Sequence, residues 1–224
     1  MKAIVVTDQS AAAAGMKLLE RPEPRAAIND VVVQIHASGF VGTELAWPST
    51  WTDRLGRDRT PTIPGHELAG VVTALGYGTT GLTVGQRVFG LTDWHRDGTL
   101  AEYVAVEARD LAPLPGDVDF SEAASLPISG LTAWQGLFEH GRLRAGQSVL
   151  VHGAAGAVGS MVTQLAREFG AYVIAPVALP TARRRSSSAR LSSSISRTTL
   201  LKTSAKSIWF SMSSAATSRS GPQA

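Results

Sequence analysis

Cysteine is absent from the whole 224-residue chain. Its absence excludes disulfide bonds and every metal site that needs a thiolate ligand, and it leaves the redox compartment open. Long apolar runs are also missing, and without a run of about 18 apolar residues the sequence predicts no membrane-spanning helix. The stretch Met1–Val6 is followed by polar residues and alanines and is too short for the apolar core of a signal peptide. We therefore expect a cytoplasmic protein.

Acidic residues are absent from residues 176–224. All 18 of them lie in residues 1–175 with 13 of the 21 Lys and Arg, which gives that part a net charge of −5. The tail has eight basic residues and 14 serines among 49 positions, so it alone produces the overall charge of +3. Such asymmetry indicates a nucleic-acid or membrane arm, or a segment under different selection. With little apolar periodicity, the tail is expected to be disordered.

The first 120 residues read as a β-rich domain. Short segments that alternate in polarity or are rich in β-branched residues are separated by turns rich in Gly, Pro, Asn and Asp. Many short strands with regular turns favour a compact β-barrel or sandwich. The predicted strands are Ala3–Val6, Val31–His36, Leu68–Leu75, Arg87–Leu91 and Ala101–Val106.

From residue 121 to residue 175 helices and strands alternate. Ser121 is predicted to cap a helix, and a second helix is predicted over Leu131–Phe138. A strand at Ser148–His152, a glycine turn, a helix at Ala157–Phe169 and a strand at Ala171–Ala175 then form a βαβ unit of a parallel sheet. The expected fold class is α/β plus β: a β-barrel domain over 1–120, an incomplete dinucleotide-binding domain over 121–175 and the tail over 176–224.

The glycine turn has the pattern of a dinucleotide-binding loop. Its glycines allow a tight turn and a close approach of the backbone to a pyrophosphate, while free N–H groups and the helix dipole stabilise the anion. The alternative is a turn that merely packs closely. An acid at the end of the second strand would hold the ribose of NAD, but that position corresponds to Ala175-Pro176, where the βαβ pattern ends. The sequence therefore does not distinguish between NAD and NADP as the cofactor. The predicted cofactor-binding residues are Gly153, Ala154, Ala155, Gly156, Ala157, Val158 and Gly159.

A set of segments follows in collinear order over residues 1–175: Met1–Ala3, Ala37–Gly39, Pro61–Val72, Val84–Val88, Gly98–Tyr103, Ala124–Trp134 and Val151–Ala171. As a set they resemble the medium-chain dehydrogenase/reductase superfamily, in its quinone-oxidoreductase-like branch. The resemblance implies an N-terminal GroES-like β domain and a Rossmann domain, with the substrate in the cleft between them.

The resemblance also implies that zinc is absent. Zinc members hold their catalytic metal with a Cys, with the His of the Gly-His-Glu segment and with a later Cys or Glu-type ligand. His66 and Glu67 are present, but Val41 and Ile128 occupy the other positions and cannot coordinate. One histidine without a thiolate is not a zinc site. His66 is then either a hydrogen-bonded turn residue or a residue that contacts the substrate or donates a proton.

Without a Lewis acid, the implied chemistry is hydride transfer from NAD(P)H to a quinone or an activated enone. NADP is the expected cofactor and NAD the alternative. By motif position Thr132 would lie beside the nicotinamide, and Val41, Thr43 and His66 would line the substrate cleft. No residue is assigned a catalytic role.

Three tryptophans, Trp47, Trp51 and Trp94, either form an apolar wall for a ring-shaped substrate or are ordinary packing residues. The expected partner is a small molecule, with no nucleic acid and no membrane. The resemblance allows a homodimer in the intact family. The alternative to an enzyme is a non-enzymatic GroES-like β module with a vestigial cofactor-binding stub.

The tail over 176–224 does not match the family, and we predict that it is out of frame. We back-translated Lys202–Thr217 with G as the third base of each codon, or C where the genetic code does not allow G. The resulting DNA was then read in the frame that begins one base earlier. It gives DVGEVDLVLDVVGGD, which resembles a later Rossmann strand of the same family. The rival interpretation is a basic arm that binds nucleic acid, although only Trp209 and Phe210 could supply stacking surfaces.

Overall fold

The computed structural model describes residues 1–176 and, as backbone, residues 208–210. Within these residues the chain forms two compact units, one over Met1–Ile128 and a second that begins at Ser129. The domain limits that the sequence predicts, at residues 120 and 175, remain predictions.

The first unit is built from antiparallel sheets. Strands β1 and β2 pair as a two-stranded sheet, and in the described residues the other five pair in the order β6-β3-β4-β5-β7. The β-rich domain predicted from the sequence is therefore confirmed. The strands are β1 (Lys2–Val5), β2 (Lys17–Glu20), β3 (Asp30–Gly39), β4 (Glu67–Leu75), β5 (Arg87–Leu91), β6 (Tyr103–Glu107) and β7 (Leu111–Pro113).

One face of the five-stranded sheet forms the main core of this unit. Val31 and Val33 stand two residues apart on β3, so both side chains point to the same face, and both are fully buried. They pack with Leu68 and Val72 of β4 in one apolar cluster. Each such side chain contributes about 1.5–3 kcal/mol when it leaves water, which stabilises the packing between β3 and β4.

Short helical segments connect or follow the strands of the first unit. They are α1 (Pro48–Trp51), α2 (Phe120–Ala124) and the 3₁₀ segments Gln9–Gly15, Gly42–Ala46 and Ala108–Asp110. The prediction that Ser121 caps a helix is wrong. Asp119 is the cap of α2, because its carboxylate accepts the N–H of Ser121 at 2.7 Å.

The second unit contains a parallel sheet with a helix crossover. Helix α3 (Pro127–Trp134) continues as a π-helical turn over Gln135–His140, where the sequence predicts one α-helix over Leu131–Phe138. Strand β8 (Ser148–Val151), helix α4 (Ala157–Glu168) and strand β9 (Tyr172–Ile174) follow, with β8 and β9 parallel. The predicted βαβ unit is therefore present, and each of its three elements ends one residue earlier than the sequence predicts.

A third strand, β10 (Ile208–Phe210), pairs in parallel with β8 on the side opposite β9. The prediction of a disordered segment over 176–224 is corrected at these three residues. The remainder of that prediction, from residue 177 to 207 and from 211 to 224, lies outside the described residues.

None of the described helices combines the length and the apolar character that crossing a membrane requires.

Candidate functional site

The glycine turn joins β8 to α4: residues 153–156 form the turn, and residues 157–159, which are also predicted to bind the cofactor, form the first turn of α4. Gly153 has φ of 70°, a left-handed conformation that glycine adopts without the strain of a Cβ. Its carbonyl oxygen accepts the N–H of Gly156 at 2.9 Å, which closes the turn. Gly156 is the residue before the helix, with φ −79° and ψ 170°. The chain therefore changes direction at Gly153 and enters α4 at Gly156.

Two glycines of the turn have different physical roles. A Cβ on Gly159 would overlap the carbonyl of Gly153, so this glycine allows α4 to pack directly against the turn. A Cβ on Gly156 would meet only that same carbonyl oxygen, at 3.3 Å. Gly156 therefore leaves open the space in front of the helix.

The turn fits the pyrophosphate of a dinucleotide. Backbone N–H groups in the first turn of a helix, here those of Ala157, Val158 and Gly159, have no partner within the helix. The dipole of the 12-residue α4 adds positive potential at the same end. An anion in front of Gly156 would meet these donors without a side chain in between.

The remaining cofactor features lie elsewhere in the second unit. Thr132, predicted to lie beside the nicotinamide, is a partly buried residue of α3. After β9 the next described residues are Ala175 and Pro176, so this part of the structure has no carboxylate where a ribose-binding acid would stand.

His66 in the first unit forms a buried pair with Glu44. His66 is 2% exposed, Glu44 is fully buried, and Nδ1 of the histidine lies 2.6 Å from Oε2 of the glutamate. Next to an ionised carboxylate, which only accepts hydrogen bonds, Nδ1 would be the donor in this contact. The interpretation of His66 as a hydrogen-bonded residue agrees with this geometry, which by itself leaves open a role at the substrate.

Glu44 is held from several directions. It lies in the 3₁₀ segment Gly42–Ala46, and its Oε1 accepts the N–H of Val41 at 3.0 Å. Its backbone carbonyl accepts the hydroxyl of Thr50 at 2.6 Å. Val41 and Thr43, the other two predicted substrate residues, are exposed members of this same stretch. The structure therefore gathers Val41, Thr43 and His66 around Glu44, which the sequence reasoning missed.

Two of the three tryptophans pack around His66. The ring centroids of Trp47 and Trp94 lie 5.7 and 4.6 Å from that of His66, and the two indoles meet edge to face at 5.3 Å. Trp94 is 39% exposed. Trp51 belongs to a different apolar cluster, and its indole N–H donates to the carbonyl of Leu45 at 2.8 Å. Trp51 is thus a packing residue, whereas Trp47 and Trp94 form an apolar surface at His66.

Ile128, which occupies a position where the family resemblance places a zinc ligand in other members, contacts Glu67 through its backbone. Ile128 donates its backbone N–H to Oε1 of Glu67 at 2.7 Å. Burial raises the pKa of Glu67, the Ile128 N–H lowers it, and the charge of Glu44 adds to the increase. Within the described residues, three or more His, Cys, Asp or Glu side chains nowhere cluster in a way that could hold a metal ion.

Comparisons with known proteins match both the sequence and the fold. The alcohol dehydrogenase GroES-like domain family matches residues 27–116. A 2-methylene-furan-3-one reductase of Solanum lycopersicum is 44% identical over 124 residues, which cover 51% of this chain and 31% of that protein. A quinone oxidoreductase of Rattus norvegicus is 35% identical over 153 residues, which cover 68% of this chain and 45% of that protein.

Solved structures give the same result. An alcohol dehydrogenase superfamily protein of Novosphingobium aromaticivorans has a TM-score of 0.69 at 35% identity, covering 78% of this chain and 52% of that one. A quinone oxidoreductase of Pseudomonas syringae has a TM-score of 0.71 at 28% identity, covering 80% and 53%. The chain spans less than half the length of the curated relatives it matches and a little over half of these solved chains.

Proposed function

Because this chain belongs to the medium-chain dehydrogenase/reductase superfamily, in its quinone-oxidoreductase-like branch, we propose that it derives from an NAD(P)H-dependent oxidoreductase that reduces quinones or activated enones without zinc. The observation that carries the proposal is the glycine turn between β8 and α4, which is open in front of the helix at Gly156. In that position it binds the pyrophosphate of the cofactor.

The substrate side of the proposal uses the first unit. Val41, Thr43 and His66 line the binding surface, and Trp47 with Trp94 supplies the apolar contact for a planar ring. Val41 and Ile128 carry no ligand atoms in their side chains, which supports a zinc-free reaction. NADP is the proposed cofactor, with NAD as the alternative. We also propose a cytoplasmic protein with a small-molecule substrate, without nucleic-acid or membrane partners. The family resemblance allows a homodimer in the intact family.

The turnover of this particular chain is proposed to be lost, because the sequence of residues 176–224 does not match the family part that would supply the remaining strands. Hydride transfer needs the donor and acceptor carbons held at near-attack distance, and small misplacements cost orders of magnitude in rate. Binding of the cofactor at the glycine turn requires less exact positioning than hydride transfer does, and we expect the chain to retain it.

Titration of the chain with NADPH, followed by cofactor fluorescence, tests this proposal. We expect saturable binding that is weakened by Gly156→Val, because the added side chain would stand in front of the helix N-terminus. Gly116→Val is the matched control, since space around Gly116 is open and the residue lies in the first unit. Absence of saturable NADPH binding would contradict the proposal and favour the non-enzymatic GroES-like module.

A further inference from the structure

We propose that Glu44 is a positioning residue for His66, which fixes the imidazole proton on Nδ1 and presents Nε2 as the nitrogen that exchanges a proton with the oxygen of the substrate. The inference rests on the proposed function for the identity of the substrate, a ring-shaped quinone or enone. The geometry that carries it is the 2.6 Å contact between Nδ1 of His66 and Oε2 of Glu44, with both side chains buried.

The contact with Glu44 selects the tautomer of His66. A neutral imidazole carries its proton on one of its two nitrogens, and the hydrogen bond made by one nitrogen decides which. The carboxylate of Glu44 offers only acceptor atoms, so a proton on Nδ1 satisfies the contact and a lone pair there would oppose it. Nε2 is then the nitrogen that takes up and releases a proton.

The orientation of the His66 imidazole is fixed as well. The carboxylate of Glu44 is itself fixed, since its other oxygen accepts the N–H of Val41 at 3.0 Å. The backbone of His66 is also held, because its carbonyl accepts the N–H of Thr92 at 2.8 Å. Trp47 and Trp94 pack around the imidazole ring. With Nδ1 occupied by Glu44, the Nε2 edge of the ring is the one left for a ligand.

The proton balance is simple. The bound cofactor would supply a hydride to the substrate carbon, and an electron pair of the carbonyl would then move onto the substrate oxygen. In its imidazolium form, His66 gives the Nε2 proton to that oxygen, which completes a hydroxyl group, and the ring is left neutral with its remaining proton on Nδ1, in the hydrogen bond to Glu44. Nε2 regains a proton from water. Glu44 takes no part in bond making, and its effect acts through the state and direction of the imidazole.

Nitrogen NMR of the isotope-labelled chain tests the tautomer without cofactor or turnover. The His66 signals are assigned by their loss in His66→Asn. We expect the neutral wild-type ring to be protonated on Nδ1. Glu44→Gln should give a mixture of both tautomers, because an amide can donate as well as accept. Glu44→Asp retains a carboxylate and should restore the wild-type pattern. Glu67→Gln, which neutralises a buried acid bonded to Ile128, is the matched control and should leave the tautomer unchanged.

Addition of cyclohexenone to the same sample tests which nitrogen meets a ligand. We expect the Nε2 resonance of His66 to move with saturable dependence on cyclohexenone, and the Nδ1 resonance to stay in place. A wild-type ring protonated on Nε2 rather than Nδ1 would overturn the positioning role of Glu44, even if Glu44→Gln failed to fold. A cyclohexenone response at Nδ1, or none at either nitrogen, would overturn the role of Nε2. Neither result depends on NADPH binding, so failure here is distinguishable from failure of the reductase proposal.

Discussion

Arg96 holds the buried carboxylate of Asp30 through two parallel hydrogen bonds, at 3.1 Å to Oδ1 and 2.6 Å to Oδ2. Asp30 is 1% exposed and begins β3, so the pair joins this strand to a loop 66 residues further along the chain. The paired Asp30 carboxylate raises the pKa of Arg96, chiefly by this hydrogen bond. Removal of the guanidinium would leave a carboxylate buried without its counter-charge.

We predict that Arg96→Met destabilises the first unit by about 3 kcal/mol, the lower end of the range for a broken buried pair, since Arg96 is itself one-third exposed. Urea unfolding followed by circular dichroism measures the change. Arg109→Met is the control, because Arg109 pairs with Glu107 at the surface and its loss should cost less than about 1 kcal/mol. Equal effects of the two substitutions would contradict the role assigned to Asp30 and Arg96.

The sequence predicts features that depend on near neighbours. The strand positions on β3 to β6 follow from alternation and β-branched residues, and the glycine turn follows from its own spacing between a strand and a helix. β2 was not predicted, because all four of its residues are exposed and its sequence shows no alternation of apolar and polar residues. Its pairing with β1 stabilises this strand. The helix cap was misplaced because Asp119 and Ser121 are both able to cap, and local backbone geometry decides between them.

The Glu44–His66 pair could not be predicted from a local pattern. The two residues are 22 positions apart, and only the packing of the 3₁₀ segment against the start of β4 brings them together. The sequence offered one general signal: Glu44 is followed by the apolar residues Leu45, Ala46 and Trp47. An acid that is buried in such a stretch needs a hydrogen-bond or charge partner. That signal does not say which residue the partner is.

A second prediction concerns pH. Because burial raises the pKa of Glu67 in the folded state above its ordinary value, the folded chain binds the proton more tightly than the unfolded chain. Its contribution to stability is therefore fully present below the ordinary value of 4.5 and is lost as pH rises through the folded pKa. We expect the stability of the wild type relative to Glu67→Gln to increase as pH falls from neutral to below 4.5. Urea midpoints measured for both chains across this range check it, and an opposite trend would refute the direction of the shift.

A third prediction concerns the packing of the turn. Gly159→Ala should destabilise the second unit by about 1–3 kcal/mol, because the methyl group would overlap the carbonyl of Gly153 and force the helix away from the turn. The matched control is Gly130→Ala in α3, where a Cβ meets nothing within 4 Å and alanine favours the helix. Hydrogen exchange of the α4 amides reports the change locally. Unchanged protection in Gly159→Ala would show that the turn is looser than described.

A fourth prediction is that the purified chain contains no stoichiometric zinc, even after refolding with zinc present. Nδ1 of His66 lies in hydrogen-bond contact with Glu44, and the side chains of Val41 and Ile128 have no atoms able to coordinate a metal. Elemental analysis after dialysis measures the metal content. A finding of about one tightly bound zinc per chain would mean that the reaction uses a Lewis acid after all.

The central claim is that the glycine turn and the His66 surface belong to an NADPH-dependent quinone or enone reductase. NADPH oxidation with a simple quinone tests it most directly, in this chain and in one whose reading frame is restored after Ala175. We predict that the restored chain oxidises NADPH, that Gly156→Val abolishes this, and that the present chain shows no turnover. A restored chain that leaves NADPH unoxidised would contradict the reductase assignment, and equal rates in both chains would contradict the argument that residues 176–224 are out of frame.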